Sequence, residues 1–209
     1  QMNILVASSR GGGLQEQIKD YELTASVHPG GEFSLLTDFA LKLIPPPHQR
    51  IGSTHVYVMG GIPDITIKLN SYINRKKYTE CIYTETPEIT TTRIKQEIEN
   101  CSHKIIQAGA IPSFATITSC DIAKYNQSLL TKRKTFHLAH TSHYISMQSN
   151  LEQALREINK FILDTNQRNN MSTPFCHTAI RKRRGTGKGY YKFMYDNLYD
   201  GVHGTDEIK

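Results

Sequence analysis

No apolar run in the sequence approaches the about eighteen residues that a membrane-crossing helix needs, which excludes a helical span. A charged-then-apolar leader is missing too. NILVASS, residues 3–9, is too short for an export signal and leads straight into glycines, so export is not expected. Cysteine is scarce: Cys81, Cys101, Cys120 and Cys176 lie far apart and form no Cys-x-x-Cys pair. That spacing argues against a disulfide scaffold and against a zinc ribbon. Free thiols in a reducing, intracellular compartment (cytoplasmic or nuclear) are the expectation. Nucleotide-binding patterns are also lacking. The Gly-rich break in LVASSRGGG matches neither G-x-G-x-x-G nor the P-loop, and RGGGLQE has no Lys-Ser/Thr pair.

Neither a metal nor another cofactor is expected. HLAHTSHY spaces His137, His140 and His143 by three, which on a helix spreads them over a broad arc rather than the i, i+4 grip of zinc. Cys176 and His177 are adjacent, so in an extended segment their side chains point to opposite faces and make a poor dyad. Acidic residues are absent from one further stretch. RKRRGTGKGYYK, residues 181–192, holds six basic residues and two tyrosines within a chain of net charge +6. This basic loop, with Arg181, Lys182, Arg183, Arg184 and Lys188, is a candidate contact for nucleic acid, an acidic membrane surface or another anionic partner. NRKKY at 74–78 and TKRK at 131–134 are smaller clusters of the kind that solvated loops carry.

At 209 residues, 38% of them hydrophobic, the chain suits a single domain, 1–209, with one core. Short β-rich runs alternate with helical spacing. Strands are expected at 3–9, 21–28, 54–61 and 104–111, the last closed by Pro112. Helices are expected at 14–20, 32–44, 89–103, 120–134 and 149–167. The alternation predicts an α/β fold, a three-layer α/β/α sandwich whose mainly parallel sheet has about five strands. In such sheets reactive groups gather at the carboxyl ends of the strands. The Gly-rich breaks at 11–13, 30–31 and 60–61 each follow a strand, and DGVH at 200–203 lies in a loop.

A serine at a strand end followed by glycines can expose its hydroxyl and offer backbone N–H groups to an oxyanion. Ser8 and Ser9 stand in that position. Asp64, just after Pro63, reads as a loop or helix-cap residue rather than a catalytic acid. Four blocks then fall in order: VASSR at 6–10, HPGG at 28–31, GGIPDIT at 60–66 and DGVHG at 200–204. Together they resemble the SGNH (GDSL-like) hydrolases, most closely the SGNH domains of retrotransposon-type and related invertebrate proteins. Those typically carry VGDSR, HPGA, GGINDIT and DGVHL, and the resemblance spans essentially the full length.

By that resemblance Ser9 is the counterpart of the nucleophile, His203 of its base and Asp200 of the residue that orients the imidazole. Gly30 and the backbone N–H of Ser9 would be oxyanion donors, and the substrate would be a small acyl ester, acetyl-type or lipid. Serine is a weak nucleophile until a histidine accepts its proton, and that histidine needs a third group to fix its tautomer. The sequence departs from the family twice. Ala7-Ser8 replaces Gly-Asp, which leaves Ser8 as a rival hydroxyl. Pro63 replaces the asparagine that donates to the oxyanion, and proline has neither an amide side chain nor a backbone N–H. Losing one such donor costs about 10²–10³ in rate. Arg10 could supply a substitute. The other reading of the chain is a catalytically retired binding module that uses its basic face.

Overall fold

The computed structural model describes residues 1–9, 22–73, 75–133, 141–174, 181–183 and 191–193. The chain begins with β1 (Met2–Ala7), β2 (Leu23–Val27), α1 (Phe33–Leu43), β3 (Thr54–Met59) and a single turn, α2 (Ile62–Ile65). Next come β4 (Ile67–Ile73), β5 (Lys76–Ile82), α3 (Pro87–Gln107), β6 (Ile111–Phe114), α4 (Ile122–Arg133) and α5 (Thr141–Arg168). Two short strands, β7 (Arg181–Arg183) and β8 (Tyr191–Phe193), follow.

Four strands form one parallel sheet in the order β2-β1-β3-β6. The connections β2–α1–β3 and β3–α3–β6 advance in the same direction across it, so right-handed crossovers put α1 and α3 on one face. The packing agrees, since α1 lies against α3 and α3 against α5. Val6, Val58 and Phe114 line up in register across three strands and point into this core, beneath Phe33, Leu36, Ile94 and Ile98. The opposite face of β1 is covered as well, because Leu5 and Ala7 are buried. A parallel sheet buried on both sides is the α/β architecture expected. Four of the about five expected strands are present among the described residues. Beyond β6, residues 171–174 run alongside it, with the Thr116 N–H donating to the Pro174 carbonyl at 3.0 Å and Ser113 Oγ to the Ser172 carbonyl at 2.8 Å.

One strand assignment needs correction. Residues 104–107 are the last turn of α3, not the start of a strand. Ile105 continues the apolar stripe Ile94, Ile98, Cys101, all of it buried, and helical spacing therefore persists past residue 103. The helix starts on Thr86, whose hydroxyl accepts from Ile89 N–H, with Pro87 in the first turn. It closes at Gly109, after which Ala110 N–H bonds back to the Ile105 carbonyl at 3.1 Å. The strand begins only at Ile111, and Pro112 lies inside it, paired with Val56, rather than ending it. An edge strand of the four-stranded ladder tolerates a proline, which a central one does not.

Three buried asparagines tie strand and loop backbone to helices. Asn166 accepts from Phe114 N–H and donates to the Phe114 carbonyl, both at 2.8 Å. Asn159 holds Ile117 in the same way, and Asn126 holds Cys81. A carboxamide matches the donor–acceptor pair of a peptide unit, so each satisfies backbone groups that would otherwise be buried unpaired.

The antiparallel hairpin β4–β5 was not apparent from the strand–helix alternation. The stretch marked as a basic loop contains β7 and the first two residues of β8, paired antiparallel with Lys182 opposite Lys192. The expected helix at 14–20 lies outside the described residues. No helix among them is long and apolar enough to cross a membrane.

Candidate active site

The parallel register sets the site. Ala7 is level with Val27 on one side and Met59 on the other, so β1, β2 and β3 end together. Ser8-Ser9, His28–Gly31 and Gly60-Gly61 therefore leave the sheet at one edge. Ser8 N–H donates to the Met59 carbonyl at 2.8 Å, and His28 N–H to the Ala7 carbonyl at 2.7 Å, which locks the first and second of these turns to the strand beside them. A cavity of about 260 Å³ opens there, lined by Ser8, Ser9, Gly30, Gly60, Ile62 and Pro63, with Glu32, Thr66, Lys68, Cys81 and Tyr125 completing its walls.

Ser8 is buried and Ser9 half-buried, so Ser9 is the more accessible of the two hydroxyl-bearing residues. Gly30 turns at φ +75°, where L side chains are strained, and brings its backbone to the rim of the cavity. Gly61 is tighter. Its φ is +108°, and a Cβ there would come within 2.3 Å of Ile117 Cδ1. The turn that presents Pro63 thus depends on a glycine just before it.

Asp64 lies in α2 but caps another helix. Its Oδ1 accepts from Phe33 N–H, the first residue of α1, at 2.9 Å, while the N-cap residue Glu32 makes no side-chain cap of its own. The helix-cap expectation is met across the fold rather than locally, and the bond joins the Gly30–Glu32 loop to the Gly60–Thr66 turn. Oδ2 is buried with no partner. Burial pushes the carboxyl up to about 7, further raised by Glu32 and Glu97 and opposed by the Phe33 N–H bond. The Cys81 thiol, in the cavity wall, is also pushed up by burial, although Thr66 and the Lys68 ammonium draw it back down. A thiol so shifted is a poor nucleophile.

Of the residues expected from the sequence, Ser9, Gly30 and Pro63 come together in this cavity. Asp200, His203, Arg10, Arg184 and Lys188 lie outside the described residues, as do His137, His140, Cys176 and His177. Arg181, Lys182 and Arg183 are placed only as the backbone of β7. Among the described residues no three His, Cys, Asp or Glu side chains converge as metal ligands, and Cys81, Cys101 and Cys120 are free thiols, all buried. The residues missed are Lys68, Cys81 and Tyr125. The signal for Lys68 was the alternation of Ile67 and Leu69 with Lys68 and Asn70, which marks a two-faced strand.

No model of a known protein family matches the sequence, and no curated protein does. Solved structures do resemble it. One is a protein assigned as an acylhydrolase from Bacteroides fragilis NCTC 9343, at 12% identity and TM-score 0.57, covering 99% of this chain and 80% of that one. Another is a GDSL-like lipase from Bacteroides thetaiotaomicron VPI-5482, at 10% identity and TM-score 0.56, with 99% and 81% covered. A third is a lipase/acylhydrolase from Enterococcus faecalis, at 11% identity and TM-score 0.51, with 99% and 89% covered. At such identities the likeness shows the fold: an α/β domain with a mainly parallel sheet, of the kind found in GDSL-like acylhydrolases.

Proposed function

We propose that the chain is an SGNH-type serine esterase domain that hydrolyses small acyl esters, acetyl-type or lipid, through an acyl-enzyme. The observation that carries this reading is the cavity at the carboxyl edge of the sheet, where Ser9 and Gly30 face Pro63. Ser9 Oγ attacks the ester carbonyl while His203 takes its proton, and Asp200 holds the imidazole in the accepting tautomer. The carbonyl oxygen, now anionic, is met by the backbone N–H groups of Ser9 and Gly30. Collapse of this intermediate expels the alcohol, which takes the proton back from His203. Water, deprotonated by the same histidine, then cleaves the acyl-Ser9 bond and releases the acid.

Pro63 supports a weakened version of this chemistry, because it lines the cavity and brings no N–H donor to it. The same residue favours a second reading, a retired SGNH-fold module that binds nucleic acid, an acidic membrane surface or a protein through residues 181–192, with Arg10 and Arg181–Arg184 among the anion contacts. Under either reading the domain is related to those of retrotransposon-type proteins and works in a reducing compartment inside the cell, in keeping with its buried free thiols.

Hydrolysis of short p-nitrophenyl esters separates the two. The esterase reading expects turnover that falls to background, about 10⁴-fold, in Ser9→Ala and in His203→Ala. In Pro63→Asn it should rise by about 10²–10³. Absence of turnover in the wild type and in Pro63→Asn, with salt-sensitive nucleic-acid binding indifferent to Ser9→Ala, would establish the binding module instead.

A further inference from the structure

The cavity has a second wall that the family comparison does not explain. It is built by the hairpin β4–β5 and by α4, which packs against β5. Side chains on a strand alternate between faces, so Lys68, Asn70 and Tyr72 share one face of β4, and Ile67 and Leu69 the other. Lys68 stands directly opposite Cys81 in the ladder. Directly opposed residues share a face, and Cys81 is buried in the cavity wall. Lys68 therefore faces the cavity too, beside Tyr125.

Lys68 lines the cavity, and its ammonium draws the buried Cys81 thiol down against the effect of burial. It is not neutralised there. Among the described residues the ion pair formed is Arg93–Glu85, at 2.8 Å on α3 and its approach, and it does not involve Lys68. Glu32 lines the same cavity from the Gly30 side but makes no ion pair with Lys68. The cavity is thus charge-polarised, negative beside Gly30 and positive at the hairpin. Exposed Arg75 and Lys77 on the same hairpin add to the positive field. An unpaired ammonium facing a cavity of about 260 Å³ is a fixed counter-charge for a small ligand.

We propose that the site selects small esters bearing an anionic group, a carboxylate or its like, and that Lys68 is the specificity-determining residue that receives it. The proposal rests on the esterase reading for the ester but not for the anion, and that allows the two to fail separately.

Two matched pairs of substrates test it at low ionic strength: 4-acetoxybenzoate against 4-acetoxybenzamide, and 4-nitrophenyl hydrogen adipate against 4-nitrophenyl hexanoate. Wild type should favour the anion in at least one pair. Lys68→Ala should remove about tenfold of that preference, the scale of one charge-assisted hydrogen bond. Lys68→Glu should reverse it. Alongside, ligand-observed NMR titration of 4-hydroxybenzoate and adipate measures binding without turnover. Their affinity should fall by the same factor in Lys68→Ala. Absence of hydrolysis with Lys68-dependent anion binding would sink the esterase and keep the anion site. Equal rates within both pairs, or anion binding unchanged in Lys68→Ala, would overturn the proposal. Lys68 is exposed on its strand, so both variants should fold, which far-UV circular dichroism checks.

Discussion

On the sheet side of the cavity, each turn leaves a strand whose end is level with its neighbour's and is held there by a backbone bond, a buried glycine or the Asp64 cap. On the hairpin side, a two-stranded ribbon leaves Ile67 and Leu69 about half exposed and Tyr72 72% exposed. It is tied to the body by Asn126 on Cys81 and by Tyr144 on Glu80. The first wall can vary little, because its backbone is fixed by core packing. The second can change side chains at small cost in stability. Reaction geometry belongs on the first and choice of substrate on the second, the division usual where loops carry function on a rigid scaffold.

The largest effect that can break this contrast comes from Asp64. Its folded-state carboxyl titrates at about 7 against an ordinary 3.8, so the folded protein holds a proton that the unfolded chain has lost. Stability from this group is complete below about pH 4 and is lost as pH rises through about 7, a change on the order of 4 kcal/mol. Urea unfolding across that range should show stability falling with pH, and Asp64→Asn should flatten the slope. Asparagine keeps an acceptor for Phe33 N–H, so α1 should stay capped. An unchanged slope in the variant would mean that the pH dependence does not come from Asp64.

The asparagine clamps offer a sharper comparison, since the same device serves both regions. Asn166→Ala strips Phe114, fully buried in β6, of two partners for its peptide groups. Leaving them unpaired costs about 2–4 kcal/mol, and at about 2–4 °C per kcal/mol a melting point roughly 10 °C lower is expected. Asn126→Ala makes the same cut at Cys81 on the hairpin. There the loss should stay local: faster amide exchange at Cys81 and through β5, with a melting point that moves by no more than about half as much. Equal global losses would show that hairpin and sheet unfold as one unit, and the distinction between the walls would fall.

The sequence made the sheet-side wall legible because its determinants are local. Short apolar runs ended by glycine mark parallel strands, and the motifs that begin at Val6, His28 and Gly60 place the loops. The helix α3 showed the limit of that reading. Ile105 and Ile106 look β-like in KIIQAGAI, yet Ile105 completes a stripe begun at Ile94, and only packing against α1 and α5 decides between helix and strand. The hairpin was hidden for another reason. Its strands bury one face poorly, so their alternation is weak beside the basic NRKKY turn. Nor could spacing reveal the clamps, because Asn126, Asn159 and Asn166 act on backbone 42 to 52 residues away.

The smallest effect is also the most discriminating between the two faces of β4. Leu69 is 48% exposed and lies on the face away from Lys68. Replacing it with serine removes apolar surface that is largely in water already, so stability should change by no more than about 0.5 kcal/mol. The cavity does not include it, and the preference between anionic and neutral esters should also hold. Lys68→Ala, one residue along, is expected to leave stability equally untouched while moving the preference about tenfold. Chemical denaturation and the paired-substrate rates, measured on both variants, read the two quantities independently. A preference that shifts with Leu69→Ser as much as with Lys68→Ala would mean that the hairpin acts through its position as a whole. A shift confined to Lys68 assigns selectivity to one charge on one face of one strand.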